Sequence, residues 1–146
     1  LLEEIITSFE ETSSKKIDLL NKNDQNKISI QRTPEIIYGL RNFIGNAVKF
    51  SKSKIEVNLK SDEKMIKIEI NDDGPGIPED IINKIGEPYI KSKSKELSSN
   101  SGLGLGTFLG KTLLERQGAN LQFKRNSKLG GALVVISWSP NSFTNV

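Results

Sequence analysis

Lys54-Ile55-Glu56-Val57-Asn58-Leu59-Lys60 and Met65-Ile66-Lys67-Ile68-Glu69-Ile70-Asn71-Asp72-Asp73-Gly74-Pro75-Gly76-Ile77 are separated only by Ser61 to Lys64 in a chain of 146 residues. In the first run Ile55, Val57 and Leu59 alternate with Lys54, Glu56, Asn58 and Lys60. In the second, Ile66, Ile68 and Ile70 alternate with Met65, Lys67 and Glu69. Successive side chains of a strand point to opposite faces, so the two runs predict a hairpin with one apolar and one wet face. A sheet that is wet on one side accepts helices on the other only. The expected class is therefore α/β, a two-layer sandwich with its helices on one face of the sheet.

Outward from this hairpin, Thr33-Pro34 is a helix start, a capping hydroxyl followed by proline at the first helical position. The helix is expected to run to about Phe50. Residues 1–10 have the amphipathic spacing of a short helix, with Leu1, Leu2, Ile5, Ile6 and Phe9 apolar. Lys16 to Leu20 and Lys27 to Gln31 read as strands around the polar turn Asn21 to Asn26. A short helix is expected after Pro78. The Ser-, Lys- and Gly-rich stretch 86–106 is expected to be mobile. A second amphipathic helix runs from about Leu105 to Gln117 and stops at Gly118. Ala119 to Lys124 and Ala132 to Trp138 read as closing strands around the turn Arg125 to Gly131, and the tail after Trp138 is expected to fray.

Composition removes several chemistries. There is no cysteine and no histidine, which excludes disulfides, thiolate metal sites, cysteine nucleophiles and any histidine base. Lys plus Arg (21) exceeds Asp plus Glu (18) by only +3, too little to argue for nucleic acid as a partner. The longest apolar run, Ala132 to Ile136, is far short of the roughly 18 residues of a membrane span, so no membrane contact is expected of this segment. The opening Leu1-Leu2-Glu3-Glu4 reads as a piece of a longer protein.

Three constellations could carry chemistry. On the helix at 34–50, Asn42, Asn46 and Lys49 share the side opposite the apolar arc. Two amides and an ammonium suit a metal-phosphate ligand, since an amide oxygen can coordinate Mg²⁺ and a lysine can sit on a phosphate; the same residues also fit a plain solvated face. Asp72-Asp73-Gly74-Pro75-Gly76-Ile77 comes directly after a strand. A carboxylate there could accept from an exocyclic amine and the two glycines would let the backbone approach a ligand, or the stretch is an ordinary turn. Gly102-Leu103-Gly104-Leu105-Gly106 opens a helix, where backbone N–H groups form an anion site. It matches neither the dinucleotide fingerprint nor a Walker loop.

Taken in order, these parts resemble the ATP-binding catalytic domain of sensor histidine kinases, within the superfamily that also holds gyrase, Hsp90 and MutL. Arg41 to Phe50 resembles the N box, Asp72 to Ile77 the first glycine box, Glu87-Pro88-Tyr89 the F box, and Gly102 to Gly106 the second glycine box. The likeness covers about residues 15–138. Within it, Arg32-Thr33-Pro34-Glu35, Gly86-Glu87-Pro88-Tyr89 and Gly104-Leu105-Gly106-Thr107-Phe108 through Lys111 to Arg116 are similar to the RegB/PrrB-type redox-responsive sensor kinases.

The resemblance implies a Bergerat-type ATP-binding fold with a mixed sheet, with ATP and Mg²⁺ as cofactors. Asn46 matches the metal-binding asparagine, Asn42 the second polar position near metal and phosphates, and Lys49 the phosphate-contacting lysine. Phe50 matches the aromatic near the adenine, and Asp72 the carboxylate that receives the adenine amino group. Gly74, Gly76 and Ile77 would pass the base and Tyr89 would line the site. Gly102, Leu103, Gly104, Leu105 and Gly106 would lie beneath the phosphates. Hydrolysing relatives resemble one another in placing a Glu four residues before the metal asparagine. Asn42 stands there, and an amide cannot take a proton at neutral pH, which favours transfer over hydrolysis. An ATP-driven clamp, a serine kinase or a nucleotide-binding interaction module of the same fold are the other readings.

The implied partners are a dimerisation domain of the parent protein carrying the acceptor histidine, and a response regulator, in a homodimeric parent. Residues 1–14 would be a linker or the end of a dimerisation helix, 15–139 the ATP-binding domain and 140–146 a flexible tail. The implied location is the cytoplasm, with the parent anchored in a bacterial inner membrane. Family members often carry a hydroxyl after the late Gly-Gly pair, where this chain has Ala132.

Overall fold

Eight elements are defined in the computed structural model, which describes residues 2–11, 13, 15–23, 33–61, 65–76, 105–125 and 129–139. In chain order they are α1 (Leu2–Glu10), β1 (Lys16–Asn23), α2 (Pro34–Phe50), β2 (Lys54–Ser61), β3 (Ile66–Asp72), α3 (Leu105–Arg116), β4 (Asn120–Arg125) and β5 (Ala132–Trp138). The strands form one sheet in the order β1-β2-β3-β5-β4. β1 and β2 are parallel, bridged in sequence by α2, and the other pairs are antiparallel, so the sheet is mixed.

Register explains which side is covered. Residues directly opposite one another share a face. Leu19, Val57, Ile70, Val134 and Phe123 make one row across all five strands, and Leu59, Ile68, Ile136 and Leu121 make the next. The buried core joins these rows to Leu2, Ile5 and Ile6 of α1, Ile36, Leu40, Phe43, Ile44 and Ala47 of α2, and Leu114 of α3. All three helices therefore lie on the face to which Ile55, Val57 and Ile68 point, as the alternation requires. The opposite face carries Lys54, Glu56, Lys60 and Glu69, with Lys60 and Glu69 paired at 2.7 Å. It also carries Leu133 and Val135, because β5 is an interior strand flanked by β3 and β4 and is apolar on both sides.

Both ends of α2 are held by side chains. Thr33 is extended (φ −89°, ψ 151°), and its hydroxyl accepts from the Ile36 N–H at 3.2 Å, with Pro34 in the first turn. At the other end the Lys15 ammonium donates to the carbonyl oxygens of Val48 and, at 2.7 Å, of Ser51. A cation on the last carbonyls of a helix satisfies groups that have no intrahelical partner and opposes the negative end of its dipole. α3 ends at Gly118, whose φ of +89° is costly for any residue with a side chain, as the sequence predicts.

One local expectation fails. The turn predicted over Asn21 to Asn26 begins too early: β1 continues through Asn23, in register with β2 as far as Ser61. Polar composition suggested a turn, but a parallel neighbour supplies backbone partners regardless of side-chain polarity. The strand predicted at Lys27 to Gln31 and the helix predicted after Pro78 lie outside the described residues.

Candidate functional site

β3 carries Ile66, Ile68, Ile70 and Asp72 in steps of two, so the carboxylate takes the next place in an apolar row on the helix-covered face. Asp72 is 5% exposed. Its Oδ1 accepts from the backbone N–H of Gly74 at 2.9 Å and of Ala132 at 3.2 Å. Both bonds fall on the same oxygen, and among the described residues Oδ2 receives none. Burial raises the carboxyl above its ordinary value. The two backbone donors oppose this, the charge of Asp73 adds to it, and Lys15 opposes it.

Two glycines make room for this arrangement. A β-carbon on Gly74 would stand 2.3 Å from the Phe50 carbonyl oxygen, and one on Gly131 would stand 2.3 Å from Asp72 Oδ1. The first contact joins the end of β3 to the last residue of α2. The neighbouring Asp73 pins the same junction from outside. Its carboxylate accepts from the N–H of Lys52 at 2.8 Å, the N–H of Ser53 at 3.1 Å and the Ser53 hydroxyl at 3.2 Å. Desolvation opposes ionisation of Asp73, but hydrogen bonds from Ser53, Lys54 and Lys52 outweigh it and hold the carboxyl below its ordinary value.

α2 carries the other predicted residues back from this junction. The four steps from Asn46 to Phe50 rise about 6 Å along the helix axis. Lys49 is exposed, its ammonium 5.5 Å from the centroid of the Phe50 ring. Asn46 and Asn42 do not lie on a solvated face: both are half-buried in the seam between α2 and α3. Asn46 Nδ2 donates to Thr107 Oγ1 at 3.3 Å. Asn42 rests on Gly110, where a β-carbon would lie 3.3 Å from its Oδ1, and that oxygen is buried with no hydrogen-bond partner among the described residues. Gly76, beyond the Asp72 turn, has φ +81°. Leu105 and Gly106 are the first two residues of α3. Ile77, Tyr89, Gly102, Leu103, Gly104 and the rest of 86–104 in the stretch expected to be mobile lie outside the described residues.

The donor set fits a magnesium ion that arrives with a nucleotide. Asn46 has its nitrogen engaged, which leaves Oδ1 as its ligating end, and Asn42 has a buried oxygen that receives no donor among the described residues. Among the described residues no three His, Cys, Asp or Glu side chains gather to hold a metal. Neutral amide oxygens without a carboxylate suit an ion whose remaining ligands are phosphates and water.

Sequence reasoning missed Lys15, Gly39, Thr107 and Gly110. A threonine and two glycines at buried positions of amphipathic helices were the available signal for three of them. Lys15 had none, since its partners stand 33 and 36 residues away.

A two-layer sandwich of this topology, with a buried carboxylate at a strand end facing an amide-bearing helix, defines a class of ATP-binding domain. The chain belongs to the family of histidine kinase-, DNA gyrase B- and HSP90-like ATPases, whose model matches residues 31–142. Among characterised relatives, sensor histidine kinase RegB of Cereibacter sphaeroides is 44% identical over 105 residues, covering 68% of this chain and 23% of that protein. Sensor histidine kinase CpxA of Escherichia coli is 32% identical over 101 residues, 69% of this chain and 22% of the relative. Sensor protein KdpD of Clostridium acetobutylicum is 31% identical over 143 residues, 91% of this chain and 15% of the relative. The chain thus spans less than a quarter of the length of these relatives. Among solved structures, the nucleotide-free catalytic domain of histidine kinase ThkA superposes with a TM-score of 0.74 at 20% identity, covering 94% of this chain and 90% of that one. Full-length ShkA in complex with AMPPNP superposes at 0.70 with 21% identity, covering 95% of this chain and 29% of that one. These two likenesses bear on the fold. Among the described residues no helix is long and apolar enough to cross a membrane.

Proposed function

We propose that this chain binds Mg·ATP between α2 and the β3 turn and, in its parent protein, transfers the γ-phosphoryl group to a histidine on a dimerisation domain, for onward passage to a response regulator. The observation that carries the reading is the Asp72 carboxylate, one oxygen saturated by backbone donors and the other left for an exocyclic amine. An adenine amino group donates there, whereas the oxygen that guanine carries in the same place would be repelled. Bound magnesium would neutralise phosphate charge, held by Asn46 Oδ1 with Asn42 beside it, and Lys49 would sit on a phosphate.

Asn42 supports transfer rather than hydrolysis, since an amide at that position cannot deprotonate water. Phosphoryl transfer asks mostly for positioning and charge neutralisation, and a histidine acceptor brings its own nucleophile. The names of the RegB and CpxA relatives agree with this reading. In the same reading residues 15–139 form the nucleotide-binding unit and residues 1–14 lead in from the dimerisation helix of a homodimer. Phe9 of α1, beneath the Arg41 guanidinium at 5.2 Å and 3.3 Å from a β-carbon at Gly45, supports a mechanical connection to α2. The domain would work in the cytoplasm of a bacterium, with the parent anchored in the inner membrane.

The test is to incubate the chain with the parent's separated dimerisation domain and γ-labelled ATP. Acid-labile label on a histidine is expected, lost in Asp72→Asn. Acid-stable label on serine, or brisk phosphate release by the isolated chain that persists in Asn42→Ala, would overturn the reading.

A further inference from the structure

Thr107 stands in the first turn of α3, directly after the predicted phosphate loop, and is 0% exposed. A hydroxyl buried without a partner costs about 1–3 kcal/mol, so a threonine at such a depth implies a use for its oxygen. That oxygen accepts from Asn46 Nδ2 at 3.3 Å. The helices are close enough for two short side chains to meet because the seam is lined by glycine. A β-carbon on Gly39 would lie 2.4 Å from Leu114 Cγ, and one on Gly110 would lie 3.3 Å from Asn42 Cβ.

An asparagine amide is nearly symmetric in shape, and its last torsion is broad and two-fold. Rotated by half a turn, it would present an NH₂ group where a cation needs an oxygen. Sterics do not distinguish the two orientations; a hydrogen-bond partner does. Here the amide nitrogen of Asn46 is the donor and the hydroxyl oxygen of Thr107 the acceptor. An acceptor facing the amide selects the orientation with nitrogen inward and oxygen outward.

Resting on the reading of Asn46 as the magnesium ligand, we propose that Thr107 is a positioning residue: its hydroxyl oxygen holds the Asn46 amide nitrogen in the α2–α3 seam, so that Oδ1 is presented to the metal of the bound nucleotide.

The test compares Thr107→Val, which keeps the shape and removes the hydroxyl, with Thr107→Ser, which keeps the hydroxyl, in the full chain. Binding of a non-hydrolysable ATP analogue is titrated with EDTA present, then against Mg²⁺ at saturating analogue, and the Asn46 side-chain NH₂ resonances are tracked in isotope-labelled protein. In Thr107→Val, metal-free affinity is expected to stay within about twofold while the Mg²⁺ concentration for half-saturation rises roughly 10-fold, the low end of what loss of a ligand-orienting partner costs. The Asn46 NH₂ signals move, and Thr107→Ser restores both. An unchanged Mg²⁺ requirement in Thr107→Val, or equal weakening with and without metal, overturns the role of Thr107. If Asn46→Ala raises the Mg²⁺ requirement in that same experiment, the nucleotide reading survives without it. A wild-type chain whose analogue binding ignores Mg²⁺ overturns both. If the valine variant does not fold, Thr107→Ala set against Thr107→Ser makes the same comparison.

Discussion

Gly131 lies flat against Asp72, so closely that a β-carbon at Gly131 would stand 2.2 Å from the Asp72 carbonyl oxygen and 2.3 Å from Oδ1. The start of β5 is thus part of the wall that holds the carboxylate. Gly131→Ala must displace the end of β3 or the carboxylate itself. The expected cost is about 1–3 kcal/mol of stability, as for overpacking elsewhere, together with a loss of ATP affinity of roughly tenfold or more. Chemical denaturation and nucleotide titration check the two parts; wild-type affinity in Gly131→Ala would contradict the placement of Asp72.

Asp72→Asn separates stability from binding. The amide can still accept from Gly74 and Ala132, but an NH₂ group in place of Oδ2 would face the amino group of adenine. Losing a charge-assisted hydrogen bond of about 1.5–3 kcal/mol weakens ATP binding by roughly 10- to 150-fold. The folded carboxyl is raised by burial, so its contribution to stability is present below the unfolded pKa and is lost as pH rises through the folded value. At neutral pH the neutral amide escapes that loss. The empty Asp72→Asn chain is therefore expected to melt above wild type, read by calorimetry without nucleotide.

Asp73 has the opposite sign. Its folded pKa is depressed, so its contribution is present above the unfolded value of about 3.9 and is lost as pH falls through the folded value. Asp73→Asn is expected to destabilise the chain at neutral pH and to flatten the acid limb of a pH-denaturation curve. An acid limb unchanged by the substitution would show that the carboxylate does not hold Lys52 and Ser53 in solution.

Magnesium alone is expected to leave the melting temperature unchanged at millimolar concentration, since the candidate ligands are neutral amides. ATP with magnesium is expected to raise it, by about 2.7 kcal/mol of added stability at roughly a hundred times the dissociation constant. Thermal shift with each component separately and together checks this; stabilisation by the ion alone would point to a carboxylate site elsewhere.

Much of this architecture is written in local pattern. The alternation of Ile55, Val57 and Leu59 with charged residues sets both the hairpin and its covered face, and Asp72 stands out because a carboxylate occupies the next step of the Ile66, Ile68, Ile70 row. Thr33-Pro34 and Gly118 mark helix ends through chemistry that acts within one turn. What sequence could not supply depends on meetings through space. That Asn42 and Asn46 lie in a seam was not legible, because nothing near them in the chain announces α3, which packs there with Leu114 against Gly39 and Gly110 against Asn42. β1 outlasts its predicted end because β2, far along the chain, keeps offering backbone partners. The bond from the backbone N–H of Ala132 to Asp72, at 3.2 Å, likewise joins residues 60 apart in the chain.

The grip of Lys15 on Val48 and Ser51 gives the connection between α1 and β1 a hold on the C-terminal end of α2. One ammonium answers both carbonyls, so that connection cannot be drawn outward without uncapping the turn that bears Phe50. In the function proposed above, this single ammonium would couple the entry of the chain into the sheet to the helix end that bears Phe50.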